Sequence, residues 1–145
     1  MQEISIVLKE GAKAPLYQSK QSAGADCYAY LPDKEIVIHP GKSALIPTGI
    51  KMAIPNGYEV QVRPRSGLAL KNCITVLNTP GTIDSDYRGE VGIILINHSD
   101  VPFTVKHHDR IAQLVFAKCE SAVYNVVSTL DETERGCGGF GSTGV

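Results

Sequence analysis

Short runs rich in Val, Ile, Thr and Tyr, punctuated by Pro, Gly, Asn and Asp turn signals, predict an all-β sandwich or barrel. Two further observations agree. Only residues 66–72 read as a helix, and no internal repeat or linker divides the chain. The 145 residues suit one domain that buries about two-thirds of its unfolded surface and needs no disulfide staples.

Taken in order, strands are expected at 4–8, 27–31, 35–38, 43–52, 58–62 and 74–77, then at 91–96, 103–105, 110–116 and 122–127. Pro32-Asp33, Pro40-Gly41, Pro55-Asn56-Gly57, the 97–100 run Asn-His-Ser-Asp and His108-Asp109 mark the turns between them. The helix signal is S-G-L-A-L-K-N at 66–72, with an N-cap-type Ser in front and Asn behind. Residues 131–145 change character: they are rich in glycine and hold no strand-length apolar run, so they form a flexible tail to a domain at 1–130. Ordering such a tail costs roughly 1 to 2 kcal/mol per residue, which only a ligand or partner offsets.

Charge and cysteine usage exclude several classes. The 14 basic and 15 acidic residues nearly cancel, so overall balance points to neither a nucleic-acid nor a membrane partner, and any anion site is local. Cys27, Cys73, Cys119 and Cys137 are widely spaced, with no Cys-x-x-Cys, which suits reduced thiols in a cytoplasmic protein better than zinc ligands or a secreted framework. The start Met1-Gln2-Glu3 lacks a basic region and a long apolar stretch, so no signal peptide is expected, and no apolar run reaches membrane-spanning length. His39, His98, His107 and His108 lie near turn signals without a nucleophile partner and are expected at the surface.

The densest chemistry lies at 78–90, N-T-P-G-T-I-D-S-D-Y-R-G-E. Pro80-Gly81 and Arg88-Gly89 bracket a tight excursion, read as a polar hairpin tip between the apolar arms 74–77 and 91–96. Its backbone could meet a flat hydrogen-bonding ligand, or it could be an Asp-rich surface turn. Asp84 and Asp86 stand at a turn, so different jobs are expected: one orients a water, the other is bonded within the loop. Tyr87 offers a ring to a sugar.

Other stretches supply anion chemistry. Arg65, Ser66 and Gly67 stand where a helix start exposes free amides, suited to phosphate, although such caps also occur without ligands. Asp26, behind small residues, is either a turn residue or a carboxylate reaching Mg²⁺ through water. Gln113 interrupts the apolar, badly alternating 110–116 strand and needs a partner, a phosphate oxygen or a backbone carbonyl. In the tail, Arg135, Ser142 and Thr143 suit phosphate oxygens and Phe140 a flat ring, which fits a nucleotide lid as well as a merely flexible end.

These five stretches, in this order, resemble the five motifs of the homotrimeric dUTPases. Residues 23–26 (A-G-A-D) match the first and 64–69 (P-R-S-G-L-A) the second. Asn78 with 81–89 (G-T-I-D-S-D-Y-R-G) matches the third, 110–114 (R-I-A-Q-L) the fourth and 135–144 (R-G-C-G-G-F-G-S-T-G) the fifth. The resemblance implies a jelly roll or distorted β-barrel, a homotrimer with active sites shared between subunits, and Mg²⁺-dependent hydrolysis of dUTP to dUMP and pyrophosphate. That reaction limits uracil incorporation into DNA and supplies dUMP for thymidylate synthesis. It implies that Asp84 activates the attacking water and that Asn78 and the backbone of Gly81, Thr82 and Ile83 read uracil. Tyr87 lies under the deoxyribose, and Arg65, Ser66, Gly67 and Gln113 meet the phosphates. Asp26 holds Mg²⁺ through water, and the lid closes with Arg135, Phe140, Gly141, Ser142 and Thr143. A dCTP deaminase of the same wider fold and a non-catalytic nucleotide-binding regulator are the alternative readings.

Overall fold

The computed structural model describes residues 1–144; Val145, the last residue of the expected lid, lies outside the described residues. In chain order the elements are β1 (Ser5–Leu8), β2 (Ala25–Tyr28), β3 (Ile36–Ile38), β4 (Ser43–Pro47), β5 (Ile50–Ala53), β6 (Tyr58–Arg63), α1 (Ser66–Asn72), β7 (Ile74–Val76), β8 (Gly81–Ile83), β9 (Gly92–Asn97), β10 (Phe103–Val105) and β11 (Arg110–Lys118). They form a four-stranded sheet, β2-β11-β6-β8, a three-stranded sheet, β4-β9-β7, and the pairs β1-β5 and β3-β10. Every pairing is antiparallel. Among the described residues no sheet closes on itself, so the barrel alternative gives way to an open, jelly-roll-like arrangement.

Period-two alternation places the core. Along β9, Ile93, Leu95 and Asn97 are buried while Gly92, Ile94 and Ile96 face outward. Ile38, Ile46, Ile50, Ile74 and Ile111 join Ile93 and Leu95 as fully buried side chains of a single cluster. Burying each contributes roughly 1.5 to 3 kcal/mol of transfer free energy. Asn97 is polar and completely buried, but satisfied: Nδ2 donates to the carbonyls of Ile38 and Val101 at 2.9 and 2.8 Å, and Oδ1 accepts from the Ser99 amide.

Three expectations change. The run at 43–52 is two strands, because Gly49 at φ +70° turns the chain out of β4's sheet and into β5's pairing with β1. A Cβ there would also stand 2.8 Å from the Ala12 Cβ. No strand forms at 122–127: these residues are exposed, and a strand needs a partner edge that this chain does not present to them. The helix falls at 66–72 as expected, but its cap is Arg65, in extended conformation and with no side-chain cap bond, so Ser66 is the first helical residue. At the other end Cys73 takes a left-handed φ of +54°, and its amide bonds back to the Leu68 and Ala69 carbonyls.

The four cysteines are all free thiols, as expected. Among the described residues no helix is long and apolar enough to cross a membrane. Burial pushes the Cys27 thiol up to about 12. Iodoacetamide at pH 8 is therefore expected to leave Cys27 unmodified while it alkylates the exposed Cys137, with Cys27 reacting only once denaturant is added. Peptide mass spectrometry reads the result, and ready alkylation of Cys27 in the folded protein would contradict its placement.

Candidate active site

A bulge in β11 assembles the first cluster. On the β2 side Arg110 stands opposite Tyr28 and Ala112 opposite Cys27, so Ile111 is an extra residue in the ladder. In a regular strand, residues three apart point to opposite faces; the bulge brings Arg110 and Gln113 to one face, with Asp26 directly opposite Gln113. The poor alternation noted in this stretch is the sequence trace of that bulge.

On this face Asp26 is nearly buried and accepts from two arginines, Arg65 Nε to Oδ1 and Arg110 Nη1 to Oδ2, both at 3.2 Å. Arg65 Nη1 also donates to the Arg110 carbonyl at 3.1 Å. Gln113 Nε2 finds its partner in the Pro64 carbonyl at 3.0 Å, the backbone alternative of its two expected partners. It fits only because Gly24 has no side chain, since a Cβ there would lie 2.1 Å from Gln113 Oε1. Ser66 and Gly67 complete a polar depression of about 480 Å³. The first backbone bond of α1 runs from the Ala69 amide to the Arg65 carbonyl, so the three amides before it have no intrahelical acceptor. Two guanidinium groups, free amides and one neutralised carboxylate make a net cationic surface suited to an oligophosphate.

The second cluster is the 78–90 loop. Its arms pair as expected, Thr75 with Ile96 and Val76 with Leu95, but the intervening chain is not a simple tip. It leaves that sheet and adds β8 to the other one, Gly81 opposite Val62 and Ile83 opposite Val60. β8 is an edge strand, so its outer backbone groups have no strand partner and stay open to a flat ligand. Asn78, Gly81, Thr82, Asp84, Tyr87 and Glu90 line the cavity here, of about 200 Å³.

Asp84 follows β8 directly; it is exposed and has no ion pair among the described residues. The Tyr87 amide bonds to the Asp84 carbonyl at 3.2 Å, closing a turn. Asp86 was expected to brace this loop, yet its side chain is exposed and has no hydrogen-bond partner among the described residues. Arg88 does the bracing, with Nη1 donating to the Ser85 and Tyr87 carbonyls at 2.7 and 3.1 Å. The Tyr87 hydroxyl donates to the Glu90 carbonyl at 2.9 Å, over the space that Gly89 leaves empty.

The two cavities share no lining residue. The tail joins neither: Arg135 Nε bonds to the nearby Gly138 carbonyl, Phe140 is fully exposed, and Gly141, Ser142 and Thr143 are exposed with it. His39 and His98 are exposed as expected, whereas His107 and His108 are only partly so. His107 Nδ1 accepts from the Leu31 amide at 2.9 Å, a structural role. Three residues without an expected role take part in these contacts, Arg88, Glu90 and Arg110; Arg88 had a signal in the Arg88-Gly89 turn and Arg110 in its place at the start of the irregular strand.

The chain matches the family model described as dUTPase over residues 10–144. It is 56% identical to the deoxyuridine 5'-triphosphate nucleotidohydrolase of Syntrophotalea carbinolica, covering 99% of both chains. It is 55% identical to the enzyme of that name from Roseobacter denitrificans, covering 90% of this chain and 86% of the relative. Among solved structures it resembles a Staphylococcus bacteriophage 80alpha dUTPase determined with dUpNHpp, with a TM-score of 0.88, 26% identity and full coverage of both chains. A phage phi11 dUTPase described for its coordination of a structural Mg(II) ion superposes with a TM-score of 0.77 at 24% identity, over 88% of this chain and 98% of that one.

The close fit at Gly24 yields a paired test. Gly24→Ala is expected to expel the Gln113 side chain and lower unfolding free energy by about 1 to 3 kcal/mol. Gly67→Ala, where nothing lies within 4 Å of the new Cβ, should be neutral or stabilising by up to about 1 kcal/mol. Urea midpoints at matched protein concentration separate the two, and equal effects would show that the Gly24 contact is not binding on the side chain.

Proposed function

The chain belongs to the dUTPase family and hydrolyses dUTP to dUMP and pyrophosphate, and we propose that the two clusters and the tail divide that work. The carrying observation is the pairing of an unpartnered Asp84 carboxylate with an open edge strand in one cavity. The β8 edge and Asn78 read the base: uracil satisfies fixed donors and acceptors that cytosine would leave unpaired, and the close walls reject thymine's methyl group. Tyr87, held by its hydroxyl, packs beneath deoxyribose and excludes a ribose 2′-hydroxyl. Asp84 orients a water and takes its proton as the water's oxygen bonds to the α-phosphorus and the bond to the leaving pyrophosphate breaks.

Arg65, Arg110, Gln113 and the amides at Ser66 and Gly67 hold the phosphates. Asp26 is the sole carboxylate in that depression, and both its oxygens face guanidinium groups. Such a donor set suits a hydrated Mg²⁺ carried on the phosphates and reached through water, not an ion caged by the protein. When bound, Mg²⁺ supplies neutralisation of phosphate charge. Phe140 closes over uracil, while Arg135, Gly141, Ser142 and Thr143 enclose the phosphates and exclude water.

The resemblance to the homotrimeric dUTPases carries the reading that a complete site joins surfaces from different copies, one supplying the base cavity and another the phosphate depression, which share no lining residue. Three features support this. Leu45 and Leu77 are 64% and 51% exposed on or beside the outer face of the three-stranded sheet. The segment after β11 displays exposed Val123, Tyr124, Val126 and Val127. An open apolar groove of about 270 Å³ lies beside β1, between Ile4, Ile6, Tyr17 and Phe116. The reduced cysteines suit a cytoplasmic location.

Incubation with dUTP, dCTP, dTTP or UTP and Mg²⁺ tests the reading: pyrophosphate is expected from dUTP alone. Ammonia from dCTP would promote a deaminase, and nucleotide binding without turnover a regulator. Asp84→Asn is expected to keep nucleotide binding while kcat falls about 10² to 10⁴-fold, and near-normal turnover would remove the water-activating role. Truncation after Glu134 should leave the thermal midpoint and oligomeric state unchanged while kcat/KM falls by about 10² or more. Full activity without the tail would exclude a lid.

A further inference from the structure

Lys9 and Glu90 lie far apart in sequence, yet they meet over one buried segment. The Lys9 amide donates to the Gly49 carbonyl at 2.9 Å, extending the β1-β5 ladder by one residue. On the other side the Val91 amide donates to the Ile50 carbonyl at 2.8 Å, and Thr48 Oγ1 donates to the Val91 carbonyl at 2.6 Å. Thr48, Ile50 and Val91 are buried, so the backbones carrying Lys9 and Glu90 share a rigid base. Above it Lys9 Nζ pairs with Glu90 Oε1 at 2.5 Å, and Nζ also lies 5.8 Å from the centre of the Tyr30 ring. Tyr30 is itself anchored, its hydroxyl donating to the Glu10 carbonyl at 2.9 Å. The bond to Glu90 and that carboxylate's charge hold the Lys9 proton more firmly than usual.

Glu90 links the two regions. Its carbonyl anchors the Tyr87 hydroxyl, its 25% exposed side chain meets Lys9, and the residue is part of the lining of the cavity that holds Asp84. Asp84 and Glu90 are the acids of that lining, and among the described residues only Glu90 has a cationic partner.

We propose that Lys9 is a positioning residue for dUTP binding: it neutralises Glu90, leaving Asp84 as the one uncompensated carboxylate in the pocket, and steadies the backbone that holds Tyr87. The inference rests on the assignment of this cavity to the nucleoside of dUTP. Without Lys9, an uncompensated Glu90 carboxylate would stand beside the cavity that takes one end of a polyanionic substrate. The substrate's charge persists from ground to transition state, so the penalty falls on binding and not on the chemical step. Being electrostatic and partly solvent-exposed, it is screened by salt.

Steady-state kinetics on the full chain with dUTP and Mg²⁺ decide the matter. Lys9→Met, which keeps an apolar stem, is expected to raise KM about three- to tenfold at low ionic strength, with kcat within about twofold of the parent. Lys9→Arg should retain the parent KM, and adding Glu90→Gln to Lys9→Met should recover most of the loss. The KM ratio should shrink towards one between about 0.01 and 1 M ionic strength, as the screening length falls from about 30 to about 3 Å. An unchanged KM in Lys9→Met overturns the proposal. So does a rise that ignores salt and is matched by a parallel fall in kcat, the signature of lost packing. Failure of the parent chain to hydrolyse dUTP would overturn the functional reading and this inference with it, whereas an active parent with an indifferent Lys9→Met variant sinks the inference alone.

Discussion

One extra residue in β11 governs the cationic depression at one end of the molecule. This strand is paired on both edges, with Gln113 opposite Asp26 on one side and Arg63 on the other. Both ladders must be satisfied at once, so an irregularity on one side cannot relax by slipping the register without turning the core face of β11 to solvent. The bulge at Ile111 is the permitted solution: Ile111 and Ala112 both stay buried, and Arg110 is turned to the face of Asp26 and Gln113. A buried Asp26 then has two cations, and Arg65, drawn from the adjoining strand-to-helix turn, is held at the mouth of α1.

Three carboxylates near the proposed site have three fates, set by their partners. Asp26 is neutralised by two arginines and serves as a brace, with Mg²⁺ reached only through water in the proposed mechanism. Glu90 is neutralised by a lysine from the opposite end of the sequence. Asp84 is exposed and has no cationic partner among the described residues, which suits the base of the proposed hydrolysis. The division follows from which cations the fold delivers, since all three are ordinary acids on loops or strand ends.

What the chain leaves unpaired is as informative as what it pairs. The open edge of β8, the segment after β11, the apolar outer surface around Leu45 and the exposed Phe140 are groups a lone folded chain would gain by covering. In the proposed assembly the β8 edge is covered by the base, Phe140 closes on it, and the segment and sheet face by neighbouring copies. Substrate recognition and association thereby draw on the same property, incomplete satisfaction of the single chain.

Local signals determined much of this protein. Period-two runs and turn residues located nearly every strand, S-G-L-A-L-K-N located α1, and the Gly-, Asp- and Arg-bearing stretches named several of the polar residues that line the two cavities, because those features depend on neighbours within a few positions. The misreadings were non-local. Residues 122–127 have strand composition but no edge to join, the 43–52 run divides because its halves serve different sheets, and the 78–90 excursion contributes β8 to a sheet its own arms do not enter. Asp26 could be named from sequence but not its two arginines, nor could Arg88 be preferred over Asp86 as the brace of the loop, nor Lys9 be linked to Glu90. Composition and spacing specify which groups a segment offers; only the register of distant strands decides which charge each group meets, and that decision separates a bracing carboxylate from an unpaired one.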